Sequence, residues 1–259
     1  MSSLLRRLYD ACTWPIHEKW IGSLQAAAVV RSHYVISTLR QHIQHDRQYD
    51  ILDAGSGQGA PLSLVLARRY SNCRFIAIDL YQQNPTEQHL RLPSNITLIK
   101  NDLFEYSADN DYDIIICLDV LEHIDNYEKA LNIFNKWLKP GGKLLVHVPS
   151  LHKIKYFASN YRHIVLNGTQ RLGDYHVRDG FSFENISSYI EKAGFKIISA
   201  QYTFSSLTWF LKELFSMGER ISFPGIGILI LPFILLSTKF EIIMQLTTGN
   251  GIFVVGEKL

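Results

Sequence analysis

The sequence predicts an α/β protein, a parallel sheet covered by helices on both faces. Three observations predict it. Short β-rich apolar runs alternate with segments of helical periodicity; the first run ends in a cluster of glycines; the second ends in an aspartate, Asp79, 20 residues beyond the last of them, Gly59. Strand, helix and strand in series bury their apolar faces by stacking into such a layered sheet.

The elements follow in order. Residues 1–45 read as helices, a helical cap, with Leu24, Ala27, Ala28, Arg31 and Val35 near helical spacing and Val35, Ile36, Leu39 and Ile43 continuing the stripe. Asp50-Ile-Leu-Asp-Ala is a short apolar run, followed by a helix through Leu62, Val65, Leu66 and Arg69. Strands are expected at 73–79, 96–102, 112–119 and 143–148. Between the last two lies a helix over 127–138, with Asp125 as N-cap, Glu128 placed for a capping box and Pro140-Gly141-Gly142 as its stop. Ser182 caps a further helix through Ile186, Tyr189, Ile190 and Ala193, ended by Gly194. A sixth strand at 195–202 and a last one at 251–257 complete the set. The domain reading is a cap over 1–45, an α/β domain over 46–204 and 249–259, and an apolar helical insertion over 205–248.

Composition narrows the function classes. The 259 residues are 47% hydrophobic and 19% charged, which suits a large core and argues against disorder. A net charge of +2, without a dense run of Lys and Arg, leaves no footprint for a phosphate backbone, so no nucleic-acid partner is expected. The three cysteines, Cys12, Cys73 and Cys117, are scattered and form no C-x-x-C pair. A reducing compartment fits, and no apolar h-region follows Arg6 and Arg7, so the expected location is cytoplasmic, with the inner face of a membrane as a variant of it.

The segment 51–59, Ile-Leu-Asp-Ala-Gly-Ser-Gly-Gln-Gly, carries most of the functional information. Glycines 55, 57 and 59 remove side chains where a strand turns into a helix, so a ligand can touch the backbone. Asp79 closes the next strand, where a carboxylate can accept both hydroxyls of a ribose. Gly-x-Gly-x-x-Ala also fits Gly55, Gly57 and Ala60, so a dinucleotide competes for the loop. Asp53 argues against it, because a pyrophosphate would meet a fixed negative charge at the helix N-terminus. The sulfonium and ammonium of S-adenosylmethionine would find that charge favourable.

Taken in order, 51–59, Ala-Ile-Asp (77–79), Asn-Asp-Leu-Phe (101–104), Tyr-Asp-Ile-Ile-Ile-Cys-Leu-Asp-Val-Leu-Glu-His-Ile (112–124) and Leu-Lys-Pro-Gly-Gly-Lys-Leu-Leu-Val-His-Val-Pro (138–149) resemble class I S-adenosylmethionine-dependent methyltransferases of the type 11 group. The resemblance covers about residues 48–200. It implies a doubly wound, Rossmann-like sheet of seven mostly parallel strands, the last antiparallel. It further implies that Asp53, Gly55 and Gly57 line the methionine moiety, that Asp79 holds the ribose, and that Asp102 and the Leu103 amide meet the adenine. Asp119 would lie near the sulfonium, with Leu118 and Val120 beside it; Ser56, Gly59 and Leu80 complete the expected cofactor set.

Methyl transfer is an in-line displacement at an activated carbon, so the protein mainly aligns the partners and excludes water. An oxygen nucleophile also needs a base. The expected catalytic histidines are His176, His123 and His147, with His152 as a further candidate. His176 stands in Asp-Tyr-His-Val-Arg-Asp-Gly-Phe-Ser-Phe (174–183), which resembles the segment that brings a histidine over the acceptor in several small-molecule O-methyltransferases of this type. His123 and His147 each have a structural alternative, and Arg178 and Asp179 either orient substrate or pair on the surface. No set of histidines shows metal-ligand spacing.

The expected function is therefore S-adenosylmethionine-dependent methyl transfer to an oxygen of a small or lipid-linked acceptor. A nicotinamide-dependent oxidoreductase on the same loop and a non-catalytic adenosylmethionine-binding protein are the alternatives. Residues 221–238 carry no charge, 18 residues at the low edge for spanning a bilayer, with Pro224, Gly225, Gly227 and Pro232 weakening a straight helix. A lid, a monotopic dip into a membrane surface and a dimer interface all fit this stretch, and the oligomeric state is not legible.

Overall fold

The computed structural model describes residues 26–44, 46–82, 92–156, 176–220, 224–244 and 246–259. Seven strands form one sheet: β1 (Tyr49–Ala54), β2 (Cys73–Asp79), β3 (Ile96–Lys100), β4 (Tyr112–Leu118), β5 (Leu138–Pro149), β6 (Phe195–Thr203) and β7 (Gly251–Lys258). Their order is β3-β2-β1-β4-β5-β7-β6, parallel throughout except that β7 runs antiparallel to both neighbours. Chain order reverses between β1 and β4, and in such sheets ligands bind beyond the carboxyl ends of the strands at that switch point.

Among the described residues six helices cover the sheet: α1 (Ala26–His42), α2 (Pro61–Arg69), α3 (Tyr127–Trp137), α4 (Phe183–Lys192), α5 (Ser206–Arg220) and α6 (Pro224–Met244). Alternate strand residues feed two cores. Ile51, Ile114, Ile116 and Leu145 pack with Val30, Leu39, Leu64, Phe215 and Ile234 on one face. Leu52, Ile115, Cys117 and Leu144 pack with Leu131, Phe134, Ile186 and Ile190 on the other. Burial on both faces explains why β4 reads as a continuous apolar run rather than an alternating one.

Three local expectations change. The N-cap of α3 is Asn126, whose side chain accepts from the Lys129 amide at 2.9 Å; Asp125 lies one residue too early to cap it. Leu138, already extended as the C-cap of α3, opens β5 directly, so Pro140-Gly141-Gly142 forms an irregularity inside the strand's first half rather than a separate stop. The 221–238 run lies mostly in one helix, α6, that continues through Pro232; a proline there removes one backbone bond without ending the element. Cys73 and Cys117 are free and buried, whereas Cys12, Leu24, Asp174 and Tyr175 lie outside the described residues.

Candidate active site

The carboxyl ends of β1, β2 and β4 converge on the glycine loop. Gly55, Gly57 and Gly59 all adopt positive φ, between 71° and 78°, and Ala60 follows at 45°. A Cβ on Gly57 would meet nothing within 4 Å, so this position opens onto free space. A Cβ on Gly55 would stand 2.3 Å from Cγ2 of Val120, which seats the loop against the turn after β4.

The loop is tied down by side chains from β2 and just beyond. The Gly57 amide donates to Asp79 at 2.9 Å, and the Tyr81 amide donates to the other carboxylate oxygen at 2.8 Å. A carboxylate offers about four lone-pair sites, so capacity for two further donors such as ribose hydroxyls remains. Gln82 adds a clamp that the sequence reading missed: its Oε1 accepts from the Gly59 amide at 2.7 Å, and its Nε2 donates to the Ser56 hydroxyl at 3.3 Å. Its position three residues past Asp79 was the only signal. Leu80 is about half exposed at the loop's edge.

Asp53 lies beneath the loop, 3% exposed, and accepts from the Ser63 hydroxyl of α2 at 2.6 Å. Burial pushes its carboxyl up to about 6 against the opposing bond from Ser63, with the Asp79 charge adding to the rise. Its visible role is to pin the start of α2 under the turn. Asp102 accepts from the Phe104 amide at 2.8 Å, shaping the loop after β3, and Leu103 packs on the core beside it. A glycine-rich turn that opens onto free space at Gly57, beside the Asp79 carboxylate, leaves room for an adenosyl ligand.

The other half of the site is built around Asp119, at φ 52° after β4. Its carboxylate pairs with Arg31 of α1 and accepts from Nδ1 of His147 on β5. Burial alone would raise this carboxyl, but Arg31 and His147 outweigh it and hold it well below the usual carboxylate range. An ionised carboxylate only accepts, so Nδ1 carries a proton; in the neutral ring Nε2 then accepts from the Thr203 hydroxyl, 2.8 Å away on β6. His147 is 2% exposed with both ring nitrogens engaged, which fits a positioning group for Asp119 better than a base meeting substrate.

His123 and His176 come together. The turn at Leu121–His123 receives the segment 176–181, because Arg178 donates to the carbonyls of Leu121 and Ile124 at 2.6 Å and of Asp125 at 3.0 Å. Its guanidinium also lies over the Tyr127 ring, 4.4 Å from the centroid. Arg178 is thus the clamp that docks this segment onto the turn. The rings of His123 and His176 then meet edge to face with centroids 4.5 Å apart. Ligand-capable atoms of Glu122, His123 and His176 lie within 4.8 Å of one another. Along the sequence 53 residues separate these two histidines, and the fold makes them neighbours. Glu122 is buried, with Oε2 lacking a hydrogen-bond partner, and burial together with the Asp119 charge pushes its carboxyl up to about 8. His152 is exposed on the segment that follows β5.

The family model for a methyltransferase domain matches residues 31–200. The chain belongs to that family. Enzymes of this class draw the methyl group from S-adenosylmethionine, and the geometry of the loop fits it. Among curated relatives, a ubiquinone biosynthesis O-methyltransferase of Rickettsia bellii is 25% identical over 151 residues, 56% of this chain and 60% of that protein. An (S)-coclaurine N-methyltransferase of Thalictrum flavum subsp. glaucum is 33% identical over 121 residues, 45% of this chain and 32% of that protein. The matched stretch thus spans about 60% of the length of the first relative and a third of the second. Among solved structures, Haemonchus contortus phosphoethanolamine N-methyltransferase 2 in complex with S-adenosyl-L-methionine superposes with a TM-score of 0.58 at 19% identity, covering 98% of this chain and 59% of that one. That likeness establishes the sheet and its helices.

Proposed function

We propose that this methyltransferase transfers the methyl group of S-adenosylmethionine to an oxygen of a small acceptor, with His176 as the base. The observation that carries the proposal is the meeting of two structures at the switch point. The open glycine loop abuts Val120, and the Glu122–His123–His176 group stands on the turn that begins there. The O-methyltransferase relatives support oxygen as the acceptor atom.

Bound S-adenosylmethionine would supply a methyl carbon activated by positive sulfur. Gly55, Gly57 and Gly59 admit its methionine portion, Asp79 orients the ribose, and Asp102 with the Leu103 amide faces the adenine. Asp119, kept ionised by Arg31 and His147, places a fixed negative charge on the side where acceptor and sulfur would meet. His176, exposed and held in place by Arg178, receives the acceptor proton, while His123 packs against its ring and sets its orientation. Bringing nucleophile and methyl carbon into line supplies most of the acceleration such a reaction needs.

Calorimetric titration with S-adenosylmethionine, S-adenosylhomocysteine and NAD tests the cofactor half. Both adenosyl ligands are expected to bind and NAD is not. Asp79→Ala weakens adenosyl binding about 10- to 100-fold through the lost charge-assisted hydrogen bonds. Binding of NAD alone would overturn the reading. His176→Gln is expected to lower kcat about 100-fold or more with adenosyl affinity unchanged; undiminished turnover would remove His176 as the base.

A further inference from the structure

Helix α6 is apolar on both faces. Its inward face packs Ile230 and Ile234 into the core and carries Ser237, Thr238 and Glu241, all buried, whereas Leu229, Phe233, Leu236, Phe240, Ile243 and Met244 are each more than half exposed. The exposed set recurs at steps of three and four, one continuous stripe along the helix. The inward polar groups are fully engaged. Thr208 donates to Ser237 at 2.8 Å, and Thr238 donates to the Ile234 carbonyl at 2.8 Å. Glu241 accepts from the Tyr34 hydroxyl of α1 at 2.8 Å and from the Ser205 amide at 2.7 Å. These bonds fix the rotation of the helix and leave a second apolar stripe outward. On α5, Leu207, Phe210 and Met217 extend the exposed apolar surface, and the Tyr156 ring packs edge-on to Phe210.

A soluble partner's interface carries roughly one hydrogen bond per 100–200 Å². Among the described outward side chains of α6 the one strong hydrogen-bonding group is Lys239; the rest are aliphatic, proline, phenylalanine or methionine. Acyl chains need no such groups, and a lysine stem can lie along them with its ammonium at the head groups. Beside Tyr156, Lys153 and Lys155 are exposed as well; Lys153 donates to the Asp179 carbonyl, and the buried Glu213 carboxylate accepts from the Tyr156 amide. An apolar stripe flanked by lysines is the pattern of a helix lying in a bilayer interface. Among the described residues no helix is long and apolar enough to cross a membrane.

We propose that the outward face of α5 and α6 is a docking surface for a phospholipid membrane bearing anionic head groups. The surface is coupled to the site through α1, where Tyr34 bonds α6 and Arg31, one turn earlier, pairs with Asp119. The proposal stands apart from the assigned reaction, since binding to lipid requires neither methyl donor nor acceptor.

Flotation of the full chain with vesicles of phosphatidylcholine, with and without phosphatidylglycerol, tests it. The protein is expected to float with both and more strongly with the anionic vesicles. Phe233→Glu with Leu236→Glu should lower the partition coefficient at least about tenfold, with helix content and adenosyl binding retained. Lys239→Glu should lower it about fivefold on anionic vesicles only, one lysine's electrostatic share. A chain that stays unbound, or a double variant that floats as well as the parent, overturns the proposal. So does a stable dimer in sedimentation velocity that the double substitution dissociates without any flotation, which would make this face a contact between copies.

Discussion

The two halves of the site are assembled in different ways. On the cofactor side the decisive bonds are local: Gly57 to Asp79 and Gly59 to Gln82 span 22 and 23 residues, all within one strand–turn–helix–strand unit. On the side proposed for the acceptor, Asp119 reaches back 88 residues to Arg31 and forward 28 to His147, which in turn meets Thr203 56 residues later. One half is a motif; the other exists only once the sheet has closed. A backbone cradle needs residue types at fixed spacing, whereas a side-chain constellation needs only that distant elements end at the same edge.

The halves touch at Gly55 and Val120, and that contact is the place to break the arrangement. Gly55→Val puts a side chain at φ 78° and drives it into Val120. Left-handed backbone and overpacking together cost about 2–5 kcal/mol. Urea unfolding should show a lower midpoint, with adenosyl binding lost in the folded fraction. A loss below about 1 kcal/mol would mean the loop is not seated on the β4 turn.

The same division explains what the sequence made legible. The sheet, its helices and the glycine loop were readable because periodicity and turn glycines act over a few residues. Asp53 and Asp79 were placed by standing at strand ends, and Asp102, two residues beyond β3, by the resemblance to the family. Gln82 escaped because a glutamine past a strand has no signature until the loop folds over it. Arg178 was seen beside His176, but its partners are the backbone carbonyls of Leu121, Ile124 and Asp125, which carry no sequence identity. His147 could be named as buried or catalytic; only the pairing of β5 with β4 and β7, which sets it between Asp119 and Thr203, separates those roles. The 205–248 segment read as apolar, yet the outward direction of its apolar stripe depends on Ser237, Thr238 and Glu241 finding partners inside.

A smaller effect separates the halves by pH. Asp53 has a folded-state value near 6, above the ordinary 3.8, because it is buried with Asp79 close by. The folded state therefore binds this proton more tightly than the unfolded chain. Its stabilising contribution is full below about 4 and is lost as pH rises through about 6, on the order of 3 kcal/mol. Asp53→Asn, which still accepts from Ser63, should remove that slope in denaturant titrations. Glu122, raised to about 8, should carry a residual decline onward to about that pH in both proteins. Asp119 has the opposite sign: its contribution holds above the ordinary carboxylate value and is lost in acid as pH falls toward its depressed one. A variant slope matching the parent's between about 4 and 6 would show that Asp53 is not held neutral beneath the loop.

The smallest expected effect is the most discriminating. Arg31→Ala removes the cation from Asp119, a pair whose side chains retain 21% and 23% of their exposure. That places it between a surface pair, worth at most about 1 kcal/mol, and a buried one, so a stability loss of about 1 kcal/mol is expected. The kinetic signature matters more. If Asp119 serves the acceptor side, to which Arg31, His147 and the neighbouring histidines tie it, the acceptor KM should rise about fivefold, near 1 kcal/mol. Adenosyl affinity should then change less than about twofold. Arg31→Lys should restore the charge but only part of the KM, since an ammonium cannot reproduce the guanidinium's planar fork. A loss of adenosyl affinity equal to the rise in KM would instead move Asp119 into the cofactor half, where the resemblance to the family places it, and the boundary between local and long-range assembly would fall between β4 and β5 rather than between β1 and β4.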